Sequence, residues 1–267
     1  MDAIMHPPPE VLADFGAAHE PIRLEGGRGA TYRAGDLVLK PVEDEKVSAW
    51  VAGVCDSVGE DGFRVPRPVK TKSGRWSSGG WAAWAYISGN HLGGRWEDKI
   101  RASVAFHQAI SHVQRPPMFD RITSPWTIAD KVAWGEKEIL LHPRLKPAAA
   151  LLREVLRPVE VRRQAIHGDL CGNILFSAAG DPWIIDFTPF WRPADFALGL
   201  LVAEALVWEH ADESIFRLVP DTAGFLQLLA RAELRRLVEL QTVHQKYNLI
   251  DEHLPTIHLI RRKMAEV

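Results

Sequence analysis

The sequence predicts a two-lobed α+β protein in which a small β-rich lobe precedes a larger helical lobe. Up to residue 88, short apolar segments alternate with turns that contain glycine or proline, a pattern typical of antiparallel strands. From residue 89 onward, apolar residues recur mostly at the spacing of an α-helix. The length of 267 residues also suits two lobes better than one compact domain. We therefore expect the lobes to comprise residues 1–88 and 89–267.

The turns of the first lobe define its elements. Gly29 ends a glycine-rich turn between two predicted strands, and Pro41 is expected to end the third strand. Asp44 then stands where it can cap a helix that runs to about residue 58. The predicted strands are residues 21–24, 30–33, 37–40, 65–70 and 81–87.

A short strand-rich segment interrupts the helices of the second lobe. Strands are predicted at residues 165–169, 174–177 and 183–186, and the turn at 179–182 reverses the chain between the last two. Helices are predicted on both sides, at residues 98–113, 128–141, 148–157, 195–209 and 225–240. This segment therefore places a loop and a hairpin within an otherwise helical lobe.

Composition and charge exclude several classes of protein. The formal net charge is −2, without the excess of Lys and Arg that nucleic-acid-binding proteins usually carry. The most apolar segment, residues 196–208, contains Glu204 and is too short to span a membrane. Two cysteines cannot build a disulfide framework, and the first residues lack the features of a signal peptide. We therefore expect a soluble, cytoplasmic protein, and the oligomeric state is left open.

The strongest functional signal lies in the strand-rich segment. It consists of HGDLCGN at residues 167–173, here called the motif loop, and IIDF at residues 184–187. Asp169 and Asn173 are four residues apart in the loop, and the hairpin returns Asp186 thirteen residues later. Phosphoryl transfer from ATP needs a carboxylate that takes or orients the proton of the acceptor hydroxyl. It also needs oxygen ligands for Mg²⁺, which carboxylates and amides supply. The motif loop and the hairpin provide both.

This signature, His-Gly-Asp-Leu-x-x-Asn followed by Ile-Asp-Phe, resembles that of the aminoglycoside phosphotransferase and choline kinase family, which has a protein-kinase-like fold. The resemblance extends from the glycine-rich turn to about Asp212. It implies that Asp169 is the catalytic base and that His167 is a structural residue. It also implies that Asn173 and Asp186 bind Mg²⁺. The implied reaction is ATP-dependent phosphorylation of a hydroxyl group on a small molecule.

The same resemblance implies that the first lobe binds the nucleotide. Lys40 corresponds to the lysine that holds the α- and β-phosphates of ATP. The glycine-rich turn would lie over the phosphates as a flexible lid; its glycines are Gly26, Gly27 and Gly29. The family usually has a glutamate inside the following helix to pair with the lysine. Here the helix interior contains Asp56 but no glutamate, so Glu45 at the helix start is the predicted partner.

Residues at the end of the first lobe resemble the hinge whose backbone hydrogen-bonds the adenine edge. Tyr86, Ile87 and Ser88 are therefore predicted neighbours of the base. Beyond the hinge, His107 is expected to be a packing or hydrogen-bonding residue. Asp195 is expected to cap the helix at 195–209 and so to support the site structurally.

In the family, the acceptor pocket lies between the catalytic loop and the carboxy-terminal helices. Aromatic faces suit a sugar ring or a cation, and carboxylates suit amines. The predicted wall residues are Trp191, Glu204 and Trp208, with Phe190, Glu209 and Asp212 as further candidates. They are compatible with an amino sugar, a sugar or an amino alcohol as the acceptor.

Other functions remain open from the sequence. The missing helix glutamate favours a catalytically idle, nucleotide-binding regulator with the same fold. A protein kinase is disfavoured, because Thr188 stands where a glycine would complete the Asp-Phe-Gly signature and no activation segment is recognisable. A metallohydrolase built on His167 and Asp169 is also disfavoured, because no further His or Asp cluster completes such a site.

Overall fold

The computed structural model describes residues 6–25, 29–178, 180–220 and 223–266. The chain divides into two compact units. The first contains Met1–Asn90 and Leu175–Ile185, and the second contains His91–Ile174 and Asp186–Val267. Residues 175–185, which lie beyond the predicted lobe boundary, thus belong with the amino-terminal residues.

Residues 6–90 are mainly β-structure with two helices. Their elements are α1 (Pro9–Phe15), β1 (Ile22–Arg23), β2 (Tyr32–Ala34), β3 (Leu37–Pro41), α2 (Glu45–Ser57), β4 (Pro68–Val69), β5 (Ser77–Ser78) and β6 (Trp81–Ala85). The strands form one antiparallel sheet in the order β1-β2-β3-β6-β4, and β5 also pairs with β6. The core of this unit contains Val11 and Phe15 of α1 together with Leu39 and Trp81 of the sheet. The prediction of an antiparallel sheet here is confirmed.

The start of α2 follows the sequence prediction closely. The Asp44 carboxylate accepts hydrogen bonds from the backbone N–H groups of Lys46, at 2.8 Å, and Val47, at 3.1 Å. Such a cap satisfies donors that have no partner within the helix. The predicted cap at Asp44 is therefore confirmed.

Residues 91–266 are mainly helical. Their elements are α3 (Trp96–Ala109), α4 (Pro125–Ala133), α5 (Lys146–Val155), β7 (Gln164–His167), β8 (Ile174–Leu175), β9 (Trp183–Ile184), β10 (Pro189–Arg192), α6 (Ala194–Trp208), α7 (Ala223–Glu239) and α8 (Ile250–Glu266). Two short sheets interrupt the helices, one formed by β7 with β10 and the other by β8 with β9.

The core of the second unit is built around α6 and α7. A side chain on Gly199 of α6 would meet the backbone of Leu228 and Leu229 of α7 at 3.2 Å, so glycine permits the close approach of the two helices. α7 is buried from Phe225 to Glu239, although this stretch contains several charged residues. Burial of charge is costly unless the charges are paired and hydrogen-bonded. The paired charges of α7 lie beside the motif loop, as described below.

Two sequence expectations for this unit are wrong in detail. The helix predicted at 128–141 ends at Ala133, and Gly135 then adopts a left-handed conformation with φ of 68°. Glycine takes this conformation without the steric cost that other residues meet, so the chain turns there. Strand β10 was not predicted, and it forms through its antiparallel pairing with β7.

Among the described residues, no helix combines the length and apolarity needed to cross a membrane.

Candidate active site

Pairing of β7 with β10 brings together the two motifs found in the sequence, HGDLCGN and IIDF. His167 at the end of β7 lies opposite Pro189 of β10. The Gly168 backbone N–H then donates to the Thr188 carbonyl at 2.9 Å. Residues 186–188 therefore run alongside the start of the motif loop. The sheet brings Asp186 into the neighbourhood of Asp169.

Gly168 is required by the close approach of an aromatic ring. A Cβ atom at this position would lie 2.1 Å from Cδ2 of Phe190. The Phe190 ring is buried and carries the Arg235 guanidinium on its face, 4.3 Å from the ring centroid. Movement of the Phe190 ring away from residue 168 would therefore disturb its buried packing against Arg235.

Gly168→Ala is therefore expected to lower the free energy of unfolding by about 1–3 kcal/mol, as overpacking of a core does. Urea unfolding measures this change. Gly172→Ala, in the same loop, is the matched control, because an added Cβ there has no atom of the described chain within 4 Å. Equal losses in both variants would show that contact with Phe190 is not the cause.

Asp169 and Asn173 are joined by the fold of the motif loop. The Asn173 side-chain Nδ2 donates to the Asp169 carbonyl at 2.5 Å and lies 3.4 Å from its carboxylate Oδ2. Because the amide nitrogen is used in this way, the amide oxygen is the atom of Asn173 that is available as a metal ligand. The Asp169 side chain is 44% exposed, so its carboxylate is accessible.

Asp186 has an unusual backbone conformation. Its φ is 55°, in the left-handed region that residues other than glycine rarely adopt. The Thr188 hydroxyl donates to the Asp186 carbonyl at 3.0 Å, and the next residue, Phe187, packs with its ring centroid 5.7 Å from that of His167. Backbone conformations of this kind occur often at functional sites, where the surrounding structure maintains them. The carboxylate of Asp186 and the amide oxygen of Asn173 are ligand types that Mg²⁺ favours.

Two buried histidines form a chain of hydrogen bonds with the backbone of the motif loop. His167 Nδ1 accepts a hydrogen bond from the Asp169 backbone N–H at 3.2 Å. The His167 backbone N–H donates to Nε2 of His107 at 3.1 Å, and Nδ1 of His107 lies 2.7 Å from the Ser103 carbonyl. Burial lowers the pKa of His107 to about 3 and outweighs the hydrogen bond to the Ser103 carbonyl, which favours the protonated ring. His107 is therefore neutral, donates through Nδ1 and accepts through Nε2, which agrees with its predicted hydrogen-bonding role.

Sequence reasoning missed a group of buried ion pairs contributed by α7. Nη2 of Arg236 lies 3.2 Å from Oδ1 of Asp169 and 2.6 Å from Oε1 of Glu204. Nη1 of Arg236 lies 2.8 Å from Oε2 of Glu239, whose Oε1 is paired with Nε of Arg235 at 2.8 Å. Burial opposes ionisation of Asp169, but the positive charge of Arg236, aided by that of Arg235, outweighs it and lowers the pKa of the carboxyl. The spacing of Arg235 and Arg236 relative to Glu239, four and three residues, was the available sequence signal.

Glu204 was predicted as an acceptor-wall residue, and the structure places it in this ion-pair group, with 18% of its side chain exposed. Burial raises the pKa of Glu204 from 4.5 to about 7. The positive charge of Arg236 opposes this shift, and the negative charges of Asp169 and Glu239 add to it. Between these two pH values the folded protein binds a proton at Glu204 more tightly than the unfolded chain does. The free energy of unfolding therefore falls as the pH rises through this range.

Glu204→Gln is expected to remove that pH-dependent loss. Relative to the variant, the wild type should lose on the order of 2 kcal/mol of stability as the pH rises from about 4.5 to about 7. Urea unfolding across this range measures the difference, and Glu138→Gln, at an exposed position, is the control. Parallel pH profiles for the wild type and Glu204→Gln would contradict the raised pKa.

Glu209 contacts Cys171 of the motif loop and two residues of α3. Glu209 accepts hydrogen bonds from the Lys99 ammonium and, at 2.8 Å, from Nε1 of Trp96. Cys171 Sγ lies 3.5 Å from Glu209 Oε1. Burial and the charge of Glu204 raise the pKa of the Cys171 thiol, so it stays protonated. Glu209 is thus occupied by partners from α3 and the loop.

The other acceptor-wall candidates have different surroundings. Trp191 is half-buried in β10 opposite Ala165 of β7. Trp208 is 45% exposed at the end of α6, and its ring packs edge-on against His253 with 5.5 Å between centroids. Asp212 is exposed and accepts a hydrogen bond from the Ser214 backbone N–H at 2.8 Å. Trp208 is therefore the wall candidate with the most accessible aromatic face.

The sequence suggested that Asp195 caps α6, but the structure shows that it does not. The helix begins at Ala194, and Pro193 occupies the cap position, where its fixed φ of −57° suits the extended conformation. Asp195 lies in the first helical turn and is half-buried, and this burial raises its pKa. Its predicted role as structural support stays a prediction.

In the first unit, Lys40 lies at the end of β3 opposite Ala82 of β6. Leu39 faces the core, so Lys40 faces the other side of the sheet, as alternation along a strand requires. Burial raises the pKa of the Cys55 thiol of α2 to about 12, against the opposing charges of Arg67 and Lys40. Glu45, its predicted partner, is exposed in the first turn of α2 and is contacted by the Ser77 hydroxyl at 3.5 Å.

The remaining predicted nucleotide-binding residues also belong to the first unit. Tyr86 follows β6, its backbone N–H donates to the Asp36 carbonyl at 2.8 Å, and the Arg33 guanidinium lies 3.6 Å from its ring centroid. Ile87 is half-buried and Ser88 is exposed in the connection after the strand. Gly29 has a φ of 72°, which favours glycine. Gly26 and Gly27 lie outside the described residues.

The whole chain is similar in fold to solved structures of kinases that act on small molecules. An aminoglycoside phosphotransferase from Alicyclobacillus acidocaldarius subsp. acidocaldarius is 14% identical, with a TM-score of 0.63 over 100% of this chain and 98% of that chain. A choline/ethanolamine kinase family protein from Mesorhizobium loti is 19% identical, with a TM-score of 0.59 over 94% and 92% of the two chains. A thermostable mutant of aminoglycoside phosphotransferase APH(4)-Ia, solved with AMP-PNP and hygromycin B, is 12% identical, with a TM-score of 0.60 over 97% and 98%.

The protein therefore has the protein-kinase-like fold of the aminoglycoside phosphotransferases and choline kinases. The sequence model of the phosphotransferase enzyme family matches residues 22–212, and the chain belongs to this family. The family predicted from the motif loop is thereby confirmed. No match was found among curated proteins.

Proposed function

We propose that the protein is an ATP-dependent phosphotransferase that phosphorylates a hydroxyl group of an amino sugar, a sugar or an amino alcohol. The observation that carries this proposal is the accessible, ionised carboxylate of Asp169. It is held by Arg236 and by the side chain of Asn173, in a loop that runs beside Asp186. A carboxylate so placed can accept a proton from an alcohol, and membership of the phosphotransferase enzyme family supports this chemistry.

The proposed reaction begins when the acceptor hydroxyl gives its proton to Asp169. A bond forms from the hydroxyl oxygen to the γ-phosphorus of ATP, and the bond to the bridging oxygen of ADP breaks. Asp169 is suited to this role because its pKa is lowered, which keeps the carboxylate ionised before the acceptor arrives. Its protonation is transient, and it returns the proton to water after ADP leaves.

Asn173 and Asp186 are the proposed ligands of Mg²⁺. Their donor atoms, an amide oxygen and a carboxylate, fit a hard divalent cation. The ion, when bound, would neutralise charge on the transferring phosphates. The two side chains would then fix the position of the nucleotide relative to Asp169, and the hydrogen bond from Asn173 to the Asp169 carbonyl links these two functions.

The nucleotide is proposed to bind the first unit through Lys40 and through the backbone of residues 86–88. Gly26, Gly27 and Gly29 are proposed to approach the phosphates, and Glu45 remains the proposed acidic partner of Lys40. The ternary complex of APH(4)-Ia with AMP-PNP supports a nucleoside triphosphate as donor.

ADP formation in a panel of amino sugars, sugars and amino alcohols tests this proposal. A thermal-shift measurement with ATP, in the presence and absence of Mg²⁺, runs beside it. A kinase should show a Mg²⁺-dependent shift and should release ADP faster with some members of the panel. A shift without any acceptor-dependent ADP release would favour the idle, nucleotide-binding regulator instead.

A further inference from the structure

One guanidinium connects the proposed base to two other carboxylates. Arg236 contacts Asp169 in the motif loop, Glu204 in α6 and Glu239 in its own helix. Its side chain is only 10% exposed, so these contacts form largely out of water. Charge-assisted hydrogen bonds of this kind are geometrically demanding, because the planar guanidinium fixes the directions of its donors. Through these contacts, Arg236 links the Asp169 side chain to α6 and α7 and so restricts its movement.

The contact with Arg236 makes the two oxygens of Asp169 unequal. Oδ1 is 3.2 Å from Nη2 of Arg236, whereas Oδ2 is 3.4 Å from Nδ2 of Asn173, a longer and weaker contact. The side chain is 44% exposed, so the carboxylate remains accessible although Arg236 anchors it through Oδ1. A general base must lie within hydrogen-bond reach of the proton that it takes, so this orientation matters for the reaction.

Arg236 is itself held firmly. Glu239 is paired with Arg236 through Oε2 and with Arg235 through Oε1, both at 2.8 Å. Arg235 is fully buried and lies over the Phe190 ring of β10, 4.3 Å from its centroid. This clamp joins α7 to the strand that pairs with β7. Buried ion pairs of this kind are weak evidence for a stabilising role, because apolar replacements are often neutral or stabilising.

We propose that Arg236 is a positioning residue for phosphoryl transfer, which holds Asp169 through Oδ1 so that Oδ2 receives the proton of the acceptor hydroxyl. This inference rests on the proposed function, because it assigns Arg236 to the orientation of the proposed base. It predicts that Arg236 affects the rate of transfer more than it affects the binding of either substrate. A residue that served stability alone would not show that separation.

The test compares Arg236→Met and Arg236→Lys with a matched control, Arg231→Met. Arg231 is a buried arginine of the same helix, five residues earlier and on a different face, where it donates to the carbonyls of Gln227 and Arg157. The assay measures kcat, the acceptor KM and the Kd for MgATP, with the most active acceptor of the panel or with water if none is accepted. Circular dichroism at the assay temperature gives the folded fraction by which each rate is corrected.

Arg236→Met should lower kcat by about 10–100-fold, since a misplacement of about 1 Å can cost ~10²-fold in rate. Arg236→Lys keeps the charge but not the fork, and we expect it to recover part of the loss. KM and Kd should change by less than about threefold in both variants, and Arg231→Met should keep kcat within about twofold. If Arg236→Met does not fold, Arg236→Lys decides alone, with a loss of about threefold or more in kcat expected.

Three results would overturn the inference. The first is a wild-type kcat in both Arg236 variants, and the second is a loss of the same size in Arg231→Met. The third is a loss confined to KM or Kd. Asp169→Asn, measured in parallel, separates failure of this inference from failure of the proposed function. If the wild type and Asp169→Asn turn over equally slowly, Asp169 is not the base and both proposals fail. If only Asp169→Asn loses activity, the inference alone fails.

Discussion

Asp169→Asn is expected to reduce phosphoryl transfer by roughly 10²–10⁴-fold, the usual contribution of a positioned general base. The substitution keeps the size of the side chain and an oxygen that can still accept from Arg236, but it removes the charge and the basicity. MgATP affinity should stay within about threefold of the wild type, because Lys40, Asn173 and Asp186 are unchanged. Calorimetry measures binding, and acceptor-dependent ADP formation measures the rate.

Asp181→Asn is the control for this experiment, because it makes the same chemical change at an exposed position between β8 and β9. It should behave as the wild type in both measurements. Loss of MgATP binding in Asp169→Asn would place Asp169 among the nucleotide or metal contacts and would contradict its assignment as the base.

Asp186→Asn is expected to lose metal-dependent nucleotide binding together with turnover, whereas Asp169→Asn should lose turnover alone. Changes to groups that only support metal ligands typically cost about 10–100-fold, so loss of a direct carboxylate ligand should weaken MgATP binding by at least about tenfold. The protein should still fold, because asparagine tolerates the left-handed backbone that Asp186 adopts, with φ of 55°.

Calorimetry with MgATP and with ATP plus a chelator checks this prediction. In the wild type, Mg²⁺ should strengthen ATP binding, and in Asp186→Asn that strengthening should largely disappear. Unchanged Mg²⁺-dependent binding in the variant would count against Asp186 as a metal ligand.

The parts of the molecule that the sequence predicted well are those that local chemistry controls. Asp44 caps α2 because an aspartate just before a helix can bond its free N–H groups. The sheet of the first unit follows from its turns and apolar segments. The motif loop, which carries Asp169 and Asn173, was recognisable because phosphoryl transfer restricts both residue type and spacing.

The parts that the sequence did not predict depend on contacts between distant segments. In the sequence, the spacing of Arg235 and Arg236 is typical of an ordinary charged helix face, where such residues are usually solvated. Their burial arises because α7 is enclosed by its neighbours and Glu204 comes from another helix. Glu204 itself suggested an acceptor contact, and only the fold pairs it with Arg236. Strand β10 likewise exists through its pairing with β7, which local propensity does not encode.

Transfer of the γ-phosphate to a small-molecule alcohol is the central claim, and it is tested most directly with γ-labelled ATP. Purified wild-type protein, Mg²⁺ and the panel of amino sugars, sugars and amino alcohols are incubated, and the labelled products are separated. We expect the label in a phosphorylated acceptor, with Asp181→Asn equal to the wild type and Asp169→Asn reduced by roughly 10²–10⁴-fold. Label that stays in ATP or appears only as inorganic phosphate, at the same rate in the wild type and Asp169→Asn, would contradict the account.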